Sequence, residues 1–337
     1  MDPLLWDRVG ELADRSPRFS DLHHHRLHLI AASRMRARGE TVPESMIFEE
    51  RLAAAIALAA PMLMRRVREA TDARIIVMKG PEAASRWPHP RLRPWQDLDL
   101  LVEDAHAVQG ALLGAGFVEV GEPAAYVDIH HLRPLASPGL PLSIEVHMHP
   151  KWPTERAPGF AELHADAAPG AFASIPDVVA PSAAHHAVLL AAHAWEHDPL
   201  SRLGSLVDIA ALMLEAGRDE TDAVAHEWGV ARLWTATARA IDEVLLDEGR
   251  SLRRPIWRRH LHEARERTVF ETHVERLVGP VAAHPVAAAP AVATRALAKT
   301  LRPRSDERWG TKMRRSSRAL RNRSLRRSDH LDREGPV

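Results

Sequence analysis

Ile75-Ile76-Val77-Met78-Lys79-Gly80, then Arg93-Pro94-Trp95-Gln96-Asp97-Leu98-Asp99-Leu100-Leu101-Val102, and then Leu142-Ser143-Ile144-Glu145-Val146-His147 are the stretches from which the fold is read. Side chains alternate along a strand, so Asp97 and Asp99 share one face while Leu98 and Leu100 anchor the other in a core. The last stretch repeats the pattern: Ile144, Val146 and Met148 are expected to point inward, Glu145 and His147 outward. Three carboxylates on two neighbouring strands repel one another and resist ionisation unless a cation neutralises them. A magnesium pair suits such a set, because magnesium binds through a few carboxylates together with waters and substrate phosphates. The same donor chemistry argues against a structural zinc here.

Outward from these strands, Asp104 to Leu113 reads as a helix that stops at Gly114 and Gly116, and Phe117 to Val120 reads as a further strand. Upstream, the β-branched run ends at Lys79-Gly80, where glycine permits a sharp turn and Pro81 suits a helix's first turn. The start of that helix is expected to offer free N–H groups to an anion.

These residues resemble the uncharacterised nucleotidyltransferases of the DNA polymerase β-like nucleotidyltransferase superfamily. The matching features are Lys79-Gly80, Arg93, Asp97-Leu98-Asp99, Gly116-Phe117, His130-His131 and Glu145-Val146-His147, with His193 and Asp208 in the helices that follow. The resemblance covers roughly the middle half of the chain well and the N-terminal helices loosely. It implies an α+β fold: a small mixed sheet carrying the acidic triad, flanked by N-terminal and C-terminal helical regions. It implies magnesium-dependent transfer of a nucleotidyl group from a nucleoside triphosphate, ATP among the candidates, to an unidentified acceptor: a small-molecule or peptide hydroxyl first, a protein side chain or an RNA end otherwise. Asp97, Asp99 and Glu145 are the implied catalytic and metal residues, with two Mg²⁺ ions and Mn²⁺ as a substitute. Lys79, Gly80 and Arg93 are the implied nucleotide-binding residues, Arg93 alternatively bracing the acidic cluster or forming a surface ion pair; His147 and His131 are the candidates for the acceptor side, His147 alternatively orienting a carboxylate or serving as a core-edge histidine. Better-known members of the superfamily carry Gly-Ser where this chain has Lys79-Gly80, so the backbone around Gly80 carries that assignment more firmly than the lysine. The alternative from another class is a nucleotide-binding regulatory or scaffold module without turnover.

His193-Ala194-Trp195-Glu196-His197 is the rival motif, since two histidines four apart on a helix share a face and the pattern matches inverted zinc peptidases. With 21 histidines in the chain, chance pairs are common, and no third ligand is identified downstream. His23-His24-His25 reads as ordinary helix surface in preference to a purification tag or metal tract, and His130 and His131, on an expected strand, point opposite ways so that at most one faces the site. Trp195, Trp228, Trp234 and Trp257 read as core packing. No Walker glycine loop is present, which weakens a kinase reading.

Cysteine is absent, which excludes disulfides, a thiolate nucleophile and a cysteine-rich zinc site and fits a reducing cytoplasmic location. The opening residues lack the basic start and apolar middle of a secretion signal. The apolar run Leu52 to Met64 is too short to span a bilayer and reads as a buried helix, so no membrane partner is expected. Lysine plus arginine equals aspartate plus glutamate at 45 each, which favours a small-molecule or peptide acceptor over a polyanion. The exception is the acid-free stretch 312–327, with Lys312, Arg314, Arg315, Arg318, Arg321, Arg323, Arg326 and Arg327, a solvated tail or a surface for RNA or an acidic partner. The expected organisation is a helical region over 1–72, the nucleotidyltransferase core over 73–152, a helical domain over 153–280 and an Ala/Pro linker with basic tail over 281–337. Within the helical domain, Ser182 is the expected N-cap of a helix through His197, followed by helices over 203–216 and 222–246.

Overall fold

The computed structural model describes residues 2–127, 129–154, 156–246, 258–284, 286–301, 308–321 and 326. Four helices open the chain: α1 (Pro3–Arg15), α2 (Phe19–His24), α3 (His28–Ala37) and α4 (Glu44–Ala70). The α/β unit follows as β1 (Ile75–Val77), α5 (Pro81–Ala84), β2 (Asp97–Leu101), α6 (Ala105–Gly114), β3 (Val118–Glu119), β4 (Leu135–Ala136) and β5 (Ser143–His147). Then come α7 (Phe160–Ala165), β6 (Val178–Val179), α8 (Ala183–His197), α9 (Leu203–Ala216), α10 (Arg218–Glu227) and α11 (Ala231–Ile241). The last helices are α12 (Arg259–His262), α13 (Val269–Ala283), α14 (Ala289–Leu301) and α15 (Trp309–Arg321).

The strands form one mixed sheet in the order β3-β4-β5-β2-β1-β6. β2 pairs with β5 in parallel, Asp97 opposite Ser143, Asp99 opposite Glu145 and Leu101 opposite His147. β1 runs antiparallel to β2 and parallel to β6. β6 was not anticipated: the proline-punctuated connection after Pro153 contributes an edge strand too short to show a period in sequence.

Period-two alternation gives the sheet two apolar faces. On one, Leu98, Leu100, Ile144 and Val146 pack against Ile56, Ala60, Leu63, Met64 and Val67 of α4 and against Val108 and Leu112 of α6. Each of these leucines, isoleucines, valines and the methionine removed from water is worth about 1.5–3 kcal/mol. The α4 residues recur at the three- and four-residue spacing of a single stripe, and Leu58 and Met62 on the other side are exposed. The run is therefore an amphipathic part of one 27-residue helix that continues through Pro61, not a wholly buried segment. On the opposite face, Ile76, Met78 and Leu101 join a cluster that holds Leu5, Val9 and Leu12 of α1 together with α8, α9, Val244, Leu245 and Leu261. The N-terminal and C-terminal helices thus share one core, and Arg8 Nε donates to the Val244 carbonyl at 3.0 Å.

Other expectations need adjustment. Met148 lies past the end of β5 and is exposed, because the strand stops at His147. The expected helix over 222–246 is two helices, α10 and α11, separated where Gly229 adopts φ +70°. The expected Ala/Pro linker over 281–292 is largely the end of α13 and the start of α14: alanine is the best helix former, and proline is tolerated in a helix's first turn. Ser182 caps α8 through its side chain, as expected. Trp195, Trp228 and Trp234 are buried in the helical core, whereas Trp257 lies outside the described residues.

Candidate active site

The parallel register of β2 and β5 places Asp99 beside Glu145, and both lie within electrostatic reach of histidines of α8. Asp99 is 2 % exposed. Its Oδ1 lies 3.1 Å from Lys79 Nζ and 3.0 Å from His147 Nε2, while Oδ2 is buried with no hydrogen-bond partner among the described residues. Asp99, Glu145 and His147 form a group able to surround one ion, their nearest ligand atoms all within 4.8 Å of one another. Asp97 stands at the start of β2, outside this tight group but within electrostatic reach of Asp99, Glu145 and Lys79.

Charge and burial set the site's protonation. Burial, then the Asp99 carboxylate, pushes Asp97 up to about 6 against the pull of Lys79. Burial alone raises Asp99 as well, but Lys79 and the hydrogen bond from His147 outweigh it and hold Asp99 well below the usual carboxylate range. Burial likewise opposes charge on His147, and its bonds to Asp99 and Glu145 overcome it, so its pKa rises. Glu145 is lowered: burial works against its charge, and the His147 bond prevails.

Lys79 occupies the centre of this arrangement. Its ammonium lies 3.0 Å from His193 Nε2 on α8 as well as 3.1 Å from Asp99. Burial, then Lys79, depresses the His193 pKa well below its ordinary value, so the neutral ring accepts from the ammonium. Gly80 follows with φ +62°, and a Cβ there would stand 2.9 Å from the Asp97 carbonyl oxygen. Glycine is required because the turn packs directly on the strand bearing the carboxylates. The helix after it, α5, has only four residues, so the anticipated N-terminal anion cradle is a single turn and not a helix dipole.

Arg93 does not stand open to a phosphate. It is 6 % exposed and makes a two-pronged pair with Asp208 of α9, Nε to Oδ1 and Nη2 to Oδ2 both at 2.8 Å. Nη1 donates to the Gly80 carbonyl at 3.2 Å, and Trp87 Nε1 donates to Asp208 Oδ1 at 2.7 Å. His186 Nε2 lies 2.6 Å from the Met78 carbonyl oxygen. These bonds tie the β1–α5 turn to α8 and α9 and thereby fix Lys79 over the carboxylates.

His130 and His131 depart from the expected strand geometry. His131 forms an isolated bridge with His147, so the segment is not a regular strand and the two rings need not point opposite ways. Both pack on the His147 ring, with centroids 5.3 and 5.2 Å away. His131 Nε2 is 3.6 Å from Glu145 Oε2. The rival motif is also explained: His193 binds Lys79, His197 Nδ1 lies 3.2 Å from Lys151 Nζ, and Glu196 is exposed. No three-ligand group includes either histidine among the described residues.

Lys151 and Arg26 are the site's unanticipated cations. Lys151 follows β5 closely and is within reach of Glu145, Lys79 and Glu196. Arg26 lies in the α2–α3 turn at φ +59°, and burial, then the neighbouring Arg93, lowers it to about 10 while Asp208 and Asp97 act the other way. Neither residue sits in a pattern that a sequence reveals, because each reaches the site through packing between segments distant in the chain.

A mixed sheet that presents carboxylates from two adjacent parallel strands to a helical layer, with a Lys-Gly turn against them, defines a nucleotidyltransferase-type core. The family model described as "Uncharacterised nucleotidyltransferase" matches residues 20–276, more than half of the chain, and the protein belongs to that family. The match takes in α2 to α4 and runs into α13, well beyond the strands that carry the motif. Neither a search of curated proteins nor one of solved structures returns a match. No helix among the described residues is long and apolar enough to cross a membrane.

Proposed function

We propose that the protein is a magnesium-dependent nucleotidyltransferase that moves a nucleoside monophosphate from a nucleoside triphosphate to a hydroxyl on a small molecule or peptide. The observation that carries this reading is the buried, unpartnered Oδ2 of Asp99 beside Glu145, with Asp97 raised to about 6 by burial and its acidic neighbours. The oxygen donors of the set match a hard divalent cation. Asp97, Asp99 and Glu145 would hold the magnesium. When bound, the ions stabilise charge on the attacking and leaving oxygens during displacement at phosphorus.

The chain's own residues have separate tasks in this reading. Lys79 holds Asp99 in place and directs positive charge to the phosphates, and the Gly80 backbone lets the nucleotide approach β2 closely. Arg93 and Asp208 keep that turn rigid without touching substrate. Lys151 and Arg26 extend positive potential around the carboxylates and favour a triphosphate. Glu145 accepts the proton of the attacking hydroxyl, and His147 and His131 orient Glu145 on the acceptor side. Arg326, in the basic stretch, is engaged by Asp21 at 2.6–2.7 Å. Arg323 and Arg327 lie outside the described residues. The balanced charge and the lack of cysteine accord with a cytoplasmic enzyme.

The second reading, nucleotide binding without turnover, is favoured by one observation: the Lys79 ammonium already neutralises Asp99. Both readings are tested by thermal unfolding with ATP, GTP, CTP and UTP, each with and without Mg²⁺, on the wild type and on Asp97→Asn/Asp99→Asn. Ligand at a hundred times its Kd stabilises the fold by roughly 2.7 kcal/mol. The expected result is a magnesium-dependent rise for at least one nucleotide that the double variant lacks. No rise with any nucleotide overturns both readings. Pyrophosphate release in the presence of candidate acceptors separates enzyme from binding module.

A further inference from the structure

A second cluster lies away from the carboxylates, in the N-terminal helices. His23 at the end of α2, His28 at the start of α3 and Glu49 on α4 bring one ligand atom each to within 4.8 Å of the others. His23 Nε2 is 3.8 Å from Glu49 Oε1, and His28 Nε2 is 3.9 Å from Glu49 Oε2. The imidazoles stack with centroids 4.9 Å apart. An independent observation concerns His28: it is 2 % exposed, and neither ring nitrogen lies within hydrogen-bond distance of a partner among the described residues, the Leu22 backbone acting on the ring only from further off. A buried imidazole ordinarily satisfies at least one nitrogen, because leaving both desolvated and unbonded is costly.

We propose that His23, His28 and Glu49 bind a zinc-class divalent cation that clasps the turn between α2 and α3. Two imidazoles and one carboxylate form a donor set that suits zinc and not magnesium, with water completing a tetrahedron. The separations of 3.8 and 3.9 Å are slightly wider than two ligands on one tetrahedral zinc, so small side-chain rotations close the site. His23 is exposed and provides the entry path.

The position of this clasp connects it to the catalytic end of the molecule. Its two histidines bracket the turn His24-His25-Arg26-Leu27. Within that turn, the His25 carbonyl accepts from Gly204 N at 2.9 Å, His25 Nδ1 accepts from Leu203 N at 3.2 Å, and His24 Nε2 lies 3.2 Å from the Ser201 carbonyl oxygen. Arg26, at φ +59°, reaches the field of Asp97 from the same turn. A cation joining α2, α3 and α4 therefore limits the motion of the turn that presents Arg26, without itself lying among the catalytic carboxylates.

The test is equilibrium dialysis of the full chain against Zn²⁺, followed by thermal unfolding and Co²⁺ absorption spectroscopy. Wild type, His23→Ala/Glu49→Gln, Glu49→Gln alone and Asp99→Asn/Glu145→Gln are compared. His23 and Glu49 both retain solvent exposure, so their substitution leaves the core intact, and circular dichroism verifies the fold. The expected result is that His23→Ala/Glu49→Gln binds one equivalent of zinc fewer than wild type and loses the zinc-dependent rise in Tm. Glu49→Gln alone weakens that site at least tenfold, and Asp99→Asn/Glu145→Gln keeps it. Tetrahedral Co²⁺ bands follow the same order. Equal zinc stoichiometry and affinity in wild type and His23→Ala/Glu49→Gln overturn the proposal, as does a wild-type affinity weaker than millimolar.

Discussion

Lys79 Nζ stands 3.1 Å from Asp99 Oδ1, and this contact places a fixed positive charge on the carboxylate proposed to hold a metal. The ammonium comes from the turn after β1, and the carboxylate from the middle of β2. Their meeting is set by the antiparallel pairing of those strands, in which Val77 lies opposite Leu100.

Replacing Lys79 by Met leaves Asp99 with His147 as its remaining cationic contact. Breaking a buried pair from one side costs about 3–5 kcal/mol, and the partial exposure of Lys79 reduces this to roughly 1–3 kcal/mol. The variant is expected to unfold several degrees lower in chelator, and Mg²⁺ is expected to raise its Tm more than that of the wild type. Equal Tm values for the two proteins in chelator contradict the role assigned to the ammonium.

Asp208→Ala removes both Arg93 bonds and the Trp87 bond at once and strands a buried guanidinium. A loss of about 3–5 kcal/mol is expected in chemical denaturation. Trp87→Phe, which deletes one hydrogen bond to the same carboxylate, costs less, about 1–3 kcal/mol.

Gly80→Ala is a more local perturbation. The added methyl meets the Asp97 carbonyl oxygen at 2.9 Å, and the residue must also hold φ +62°. The positive-φ backbone, with ψ −114°, is a sparsely populated region that costs an L-residue on the order of 1–3 kcal/mol, and the contact displaces the start of β2. Nucleotide affinity and pyrophosphate release are expected to fall at least tenfold, with a drop in Tm of only a few degrees. Unchanged nucleotide binding in a folded Gly80→Ala protein contradicts the close approach assigned to this turn.

Acid is expected to weaken the fold earlier than carboxylate titration would. Burial first, then neighbouring positive charge, lowers His25 and His186 to about 3. The unfolded chain takes up these protons near pH 6.5, whereas the folded chain does not until about pH 3. Their contribution is thus fully present above 6.5 and is lost as pH falls. Each fully buried ring adds a slope on the order of 1 kcal/mol per pH unit over that interval. Denaturant midpoints measured from pH 8 to pH 4 should begin to fall near 6.5, and a flat profile down to pH 5 contradicts the neutral burial of these rings.

How much of this was legible beforehand depends on the range of each interaction. Leu98, Leu100, Ile144 and Val146 announce their strands because a two-residue period is local, and that period also puts Asp97, Asp99 and Glu145 on one face. Ser182 and Asp104 announce helix starts for a similar reason: each caps within three residues of its own position. β6 carries no such signal, since two valines among prolines and alanines become a strand only when β1 is beside them. Arg93 illustrates a different limit. Its spacing before Asp97 suggested a role at the phosphates, but its partner Asp208 lies 115 residues away, and that distance is closed only by packing α9 on the sheet.

The sequence by itself determined the alternating strands, the acidic face they share, the glycine turn beside it and the helical character of the flanking regions. All of these follow from periods and backbone preferences that act over a few residues. The tertiary structure decided which charges meet: Lys79 with Asp99 and His193, Arg93 with Asp208, Arg26 near Asp97, and His23 and His28 with Glu49. Those pairings join separate elements, and a Coulombic or hydrogen-bonded contact has strength only at the separation and burial that the packed fold imposes.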